Sequence, residues 1–129
     1  MSYDECVGRL RSSLVGRVAV TSHALPVVLP VNYVLDGHRI VFRTLESGVL
    51  ARACDDTVVA FEVDEIAPDG RSGWSVLVVG VARLLDGSEA LRALELNVVS
   101  AADHHRDRFV AISLGQVSGR VVPDDRPPN

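Results

Sequence analysis

The sequence predicts a mainly β, α+β domain: a small antiparallel barrel or curved sheet of six strands with short flanking helices. Three observations carry this reading. Six short runs rich in Val, Ile and Leu are separated by turn residues, and few helix-like segments lie among them. Asp36-Gly37 sits between two of the apolar runs, a strong hairpin signal because a type I′ turn needs positive φ at both central positions. The run Gly73–Leu85 is apolar on both faces, with Trp74, Val76 and Val78 on one and Leu77, Val79 and Val81 on the other. A strand of that kind is covered on both sides, and a small sheet has only one core. A partner subunit is the simplest second cover.

In chain order, Ser2-Tyr3-Asp4-Glu5 reads as a capping box opening a helix to about Ser13, with Cys6, Leu10 and Leu14 at i, i+4 and i+8. Strands follow at 15–22 and 26–35 around a turn at 23–26. The two prolines of the second strand, Pro26 and Pro30, point to an edge or a bulge, because proline has no N–H for a ladder. The third strand is 38–44 and a short helix spans 46–54. In 57–66, Val59, Phe61 and Val63 alternate with Glu62 and Asp64, a half-buried strand. After the loop 67–73 and the two-faced strand 73–85, residues 87–102 have helical spacing, with Leu91, Leu94 and Val98 on one stripe. A last strand, 108–122, is broken or bulged near Gly115. Residues 1–122 form one domain, and 123–129 are a polar tail. Closing the sheet into a barrel would also remove exposed strand edges.

Composition narrows the functions. With 129 residues, 47% of them hydrophobic, the chain can build one core without staples. Net charge is −4 and the cations are scattered, which argues against nucleic acid. All thirteen basic residues are Arg, so no side-chain amine exists for a Schiff base. Cys6 and Cys54 lack metal or redox spacing and read as buried thiols, which suits a reducing cytoplasm. The first residues are acidic rather than basic, unlike a signal peptide. The uncharged run 18–35 holds two prolines and suits two strands better than a membrane helix. His104-His105 has no acidic or cysteine partners at ligand spacing, so no metal site is expected.

The stretch Arg43-Thr44-Leu45-Glu46-Ser47-Gly48 delivers a cation and a hydroxyl at the end of a strand where a helix begins. That arrangement suits a bound phosphate: helix-start N–H groups and an Arg fork both favour an anion. The bland readings are a solvated strand end for Arg43, helix caps for Thr44 and Ser47, and a plain turn for Gly48.

The segments VGRVAV, PVVLPVNYVLDGHRIVFRT, VAFEVDEI, GWSVLVVGVARLL and VSGRVV, in this order, resemble the pyridoxamine 5′-phosphate oxidase-like FMN-binding split-barrel family, in the subgroup with nitroimidazole-resistance-like proteins. The resemblance spans about residues 3–122. It implies a split barrel, a homodimer, and FMN in a groove at the subunit interface. It implies that Arg43, Thr44, Ser47 and Gly48 hold the phosphate, and that Asn32 and Trp74 contact the flavin ring, Trp74 from the same or the partner subunit. Asn32 could equally bond a neighbouring backbone, and Trp74 could be core. The family's helix-opening lysine is Val49 here, so weaker FMN binding is expected, with Arg52 as a substitute charge. The implied activity is flavin-dependent oxidoreduction of a small organic substrate. Alternatives are a deazaflavin reductase and a non-enzymatic flavin-sequestering or cofactor-free dimer. No second phosphate-gripping set is found, so pyridoxamine-phosphate oxidation itself is not implied.

Overall fold

A computed structural model describes residues 1–99 and 107–123. The element order is α1 (Tyr3–Ser12), β1 (Val15–Ser22), β2 (Leu25–Asp36), β3 (Arg39–Leu45), α2 (Val49–Ala53), β4 (Thr57–Ile66), β5 (Gly73–Leu84), α3 (Gly87–Ala93), β6 (Asp107–Ser113) and β7 (Gln116–Val122). All strand pairs are antiparallel, and β1-β2-β3-β6-β5-β4 closes on itself through β4–β1. The expected six-stranded barrel is therefore present, with β7 as an additional strand.

The break expected near Gly115 is present and divides the last predicted strand into β6 and β7. Both lie along the same edge of β5: β7 pairs with Gly73–Val79 and β6 with Ala82–Leu84. The hand-over falls at Gly80, where a Cβ would overlap the Ser113 carbonyl oxygen. Only a residue without a side chain lets the two backbones approach so closely there. The predicted helix 87–102 is also shorter. It ends at Ala93, continues as one 3₁₀ turn over Leu94–Leu96, and stops at Asn97 with φ 57°. A left-handed Asn ends a helix, and this end overrides the longer periodicity. Residues 100–102 of that prediction, His104 and His105, and the tail from 124 lie outside the described residues.

Both hairpins form, with turn chemistry of their own. His23 and Ala24 both take positive φ between Ser22 and Leu25, a two-residue turn without glycine. In the second, Asp36 pairs with Arg39, so Gly37-His38 are central and only Gly37 has positive φ. That pattern is type II′ rather than the expected I′.

Inside the barrel, Phe42, Phe61, Ile40, Val18, Val63, Val76, Val78, Val110 and Ile112 are fully enclosed. Gly16 makes room for Phe61, whose ring a Cβ would overlap. The helix α1 is capped by Ser2, whose hydroxyl accepts from the Glu5 N–H at 3.1 Å, and it buries Cys6 and Leu10. Tyr33 ties α1 to β2 by donating to the Leu10 carbonyl at 2.6 Å. Burial pushes the Tyr33 phenol up to about 12 and the Cys54 thiol up to about 11, so both stay protonated at neutral pH.

The outside of the barrel has two apolar faces. Over β3 and β6, α3 and its flanks cover Val41, Phe109 and Ala111 with Leu85, Ala93 and Val98. Across β2-β1-β4-β5 no element of the described chain lies on the sheet. Register aligns Val28, Ala19, Ala60 and Val79 in one row, and Pro30, Arg17, Glu62 and Leu77 in the next. Val28, Val58, Leu77 and Val81 on this face are exposed.

Candidate functional site

The barrel is split along β2. Its residues 33–36 pair with β3, whereas 25–32 have β1 as their one paired neighbour. Pro26 and Pro30 lie on this unpaired stretch, as an edge requires. Opposite the open edge, β3 ends and α2 begins. Between them lies a groove of about 340 Å³ lined by Leu29–Asn32, Arg43–Leu45, Gly48–Leu50, Val99 and Asp107. Its size falls in the range of small-molecule sites.

Strand alternation explains the two polar groups at the end of β3. Arg43 follows Val41 on the outer face, and Thr44 follows Phe42 on the inner face, so the strand end offers a side chain from each. Arg43 pairs in register with Phe109, and Leu45 with Asp107, which makes Arg43 and Asp107 diagonal neighbours. The Arg43 Nε lies 3.3 Å from the Asp107 Oδ2, and the two side chains are 13% and 3% exposed. The contact is poorly aligned, and the buried Nε has no hydrogen-bond acceptor. The guanidinium carbon sits 5.0 Å from the Phe109 ring centroid, a cation–π contact that fixes its plane.

Of the six residues the sequence singles out, the groove brings together four: Asn32, Arg43, Thr44 and Gly48. The Asn32 amide and the Thr44 hydroxyl make no hydrogen bond among the described residues, so both can serve a ligand. Gly48 donates its N–H to the Leu45 carbonyl at 2.9 Å and therefore shapes the turn. Ser47 is exposed outside the groove lining, and its carbonyl accepts from Arg52 Nη1 at 2.9 Å. Arg52 thus braces the turn. The helix α2 has five residues and contributes little dipole. Trp74 is placed elsewhere: it is buried, lies 4.7 Å from the Arg9 guanidinium and lines a hollow at the β4–β5 hairpin. Within one chain it does not join the groove.

Sequence reasoning missed Asp107 and the apolar wall Leu29, Val31 and Val99. Asp107 stands in a polar stretch with no local signal. Only the β3–β6 pairing brings it to Arg43.

A second charged cluster lies on the uncovered face. Arg17 Nη1 is 3.2 Å from Glu62 Oε1 and 3.0 Å from Asp64 Oδ2, a surface ion-pair cluster. Burial, and then the neighbouring Asp64, raise Glu62 to about 7 against the pull of Arg17.

Residues 2–121 match the pyridoxamine 5′-phosphate oxidase family. The uncharacterized protein Rv0080 of Mycobacterium tuberculosis is 35% identical over 97% of this chain and 86% of its own. Among solved structures, the FAD binding protein from Mycobacterium smegmatis superposes with TM-score 0.83 at 28% identity, covering 95% of this chain and 96% of that one. A conserved protein of unknown function, DIP1874 from Corynebacterium diphtheriae, gives TM-score 0.79 at 31% identity, with 95% of each chain covered. The chain belongs to the pyridoxamine 5′-phosphate oxidase family and has its split-barrel fold. No helix among the described residues is long and apolar enough to cross a membrane.

Proposed function

We propose that this member of the pyridoxamine 5′-phosphate oxidase family is a flavin-dependent oxidoreductase acting on a small organic substrate, with the cofactor between two copies of the chain. The observation that carries the reading is the groove itself. It pairs an apolar wall, suited to a planar ring, with Arg43 and Thr44 at one end and an unengaged Asn32 amide beside Pro30. The binding of FAD by the M. smegmatis relative supports a flavin.

In this reading Arg43 and Thr44 grip the cofactor's first phosphate, the case of FMN being the simplest. Leu29, Val31 and Val49 pack on the ring, and Asn32 can donate to a carbonyl edge or accept from a ring N–H. The flavin supplies the hydride or electron chemistry, and the protein orients it and keeps water from one face. The uncovered face of β2-β1-β4-β5 begins at the same strand that lines the groove. A second copy seated there would close the groove and cover the two-faced β5.

The test is titration of the purified chain with FMN and FAD by flavin fluorescence. Loss of one charged phosphate contact is worth about 1.5–3 kcal/mol, so Arg43→Ala is expected to weaken binding about 10- to 100-fold. Arg43→Lys, which keeps the charge, should lose less. Unchanged affinity in Arg43→Ala would place the phosphate elsewhere. A wild-type chain that ignores flavin and binds deazaflavin would move the assignment to that cofactor, and one that binds neither would leave a dimer without this activity.

A further inference from the structure

The strands of the bare face continue past β5 as β2-β1-β4-β5-β7. Register places Arg120 of β7 beside Ser75, and Ser75 beside Asp64. Asn32 pairs with Val15, two residues before Arg17, and Asp64 stands two after Glu62, so the Arg17–Glu62 pairing carries this row from β1 to β4. At the far side Tyr33 pairs with Phe42, which puts Arg43 in line with Asn32 across the split. One row therefore reads Arg43, Asn32, Val15, Asp64, Ser75, Arg120, with its side chains on the outer face. The two arginines are its ends, and its midpoint lies between β1 and β4.

Arg120 is exposed and makes no hydrogen bond or ion pair among the described residues. Opposite charges flank the midpoint, Arg17 on β1 and Glu62 on β4. Two such faces pack as an isologous pair about a two-fold axis lying in the plane between them. An axis running across the strands would set each strand on its own copy, Arg17 toward Arg17. An axis running along the strands, midway between β1 and β4, sets Arg17 over the partner's Glu62 instead, and charge complementarity selects it. The same rotation carries β5 over β2 and β7 over the groove. The ends of the row then exchange, and Arg43 of one copy faces the partner's Arg120. The barrel is convex outside, so the copies touch along β1 and β4 and part toward the ends of the row, which leaves room for a guest there.

Among the described residues lining the groove, Arg43 is the cation and Asp107 the anion, and they cancel. A phosphate monoester brings nearly two negative charges near neutral pH. We infer that Arg120 of the partner subunit supplies the second cation of the phosphate site, so that the phosphate lies between Arg43 of one copy and the partner's Arg120. The inference rests on the flavin reading and the second copy proposed above, and it gives that site a residue from the other chain. Two arginines facing each other with no anion between them repel, so phosphate binding and dimerisation strengthen one another.

The experiment is fluorescence titration of the full chain with FMN and riboflavin. Arg120→Gln, at an exposed position with no bond to lose, should keep the fold and the riboflavin affinity and weaken FMN about tenfold or more. Mixed dimers show which chain provides the arginine. Arg43→Ala and Arg120→Gln chains are co-expressed with different tags and purified through both. One groove of the mixed dimer then lacks both arginines and the other has both, so one site per dimer should bind FMN at wild-type affinity. Thr44→Val replaces Arg43→Ala if circular dichroism shows that the latter does not fold. An Arg120 acting within its own chain would leave no wild-type site. FMN affinity unmoved by Arg120→Gln, riboflavin weakened as much as FMN, or mixed dimers without a tight site overturn the assignment and leave a flavoprotein. A wild-type chain that binds neither flavin overturns the flavin reading as well.

Discussion

The two outer faces of the barrel are built from the same kinds of residue and meet different fates. Over β3 and β6, Val41, Phe109 and Ala111 lie under the chain's own α3 segment. Across β2-β1-β4-β5, Val28, Val58, Leu77 and Val81 stand exposed around Ala19 and Ala60. Exposed apolar side chains on β2, β4 and β5, around Ala19 and Ala60, form a patch rather than scattered surface hydrophobicity. The covered face shows what the bare one lacks, and the small residues at the bare face's centre suit close approach by another sheet. The groove lies at the border between the two faces, with β2 on one side and Asp107 of β6 on the other.

The largest expected effect tests the covered face. Phe109→Ala should cost about 3–5 kcal/mol in urea unfolding, because the ring is enclosed and α3 cannot collapse onto the gap. Its counterpart is Leu77→Ala. For a residue 42% exposed in a lone chain, the loss should stay within about 0.5 kcal/mol, whereas under a partner it should reach about 2 kcal/mol or more. A small loss would break the comparison by showing that nothing covers Leu77.

Next in size, Val58→Arg should turn a dimer into a monomer in sedimentation analysis while leaving the monomer folded. The cost comes from placing an unpaired charge in an apolar interface. Equal masses for wild type and variant would remove the proposed partner from this face. The smallest effect concerns the charges within that face. Glu62 is raised from 4.5 in the unfolded chain to about 7 in the fold. The folded state thus binds a proton that the unfolded state has released. That stabilisation is complete below the unfolded value and is lost as pH climbs through about 7. Glu62→Gln, a neutral mimic, should melt a few degrees above wild type near pH 8 and at the same temperature near pH 4. A melting difference independent of pH would mean that Glu62 is not the titrating group.

Local chemistry made much of the fold legible. Alternation gave the strands, Asp36-Gly37 gave the second hairpin, and Pro26 with Pro30 marked the unpaired stretch of β2. The break near Gly115 was legible too, and β5 exchanges partners at Gly80 where it falls. The helix ends earlier than its periodicity predicts because one left-handed residue, Asn97, stops it. Arg43, Thr44 and Asn32 could be picked out because each is polar in an apolar run. Asp107, which neutralises Arg43, could not, because it lies far along the chain from Arg43 and only the pairing of β3 with β6 joins them. Trp74 stands out only through the family resemblance, and within one chain it packs beneath Arg9.

The prolines of β2 have an effect on the molecule's behaviour in a crowded solution. A bare strand flank normally invites any passing polypeptide to zip onto it, the first step toward fibrils. Pro26 and Pro30, four positions apart, point toward the same flank and remove two of the N–H groups such a zipper would need. The seam can thus stand open to a flat aromatic guest, which asks for no ladder, and still refuse a stray peptide.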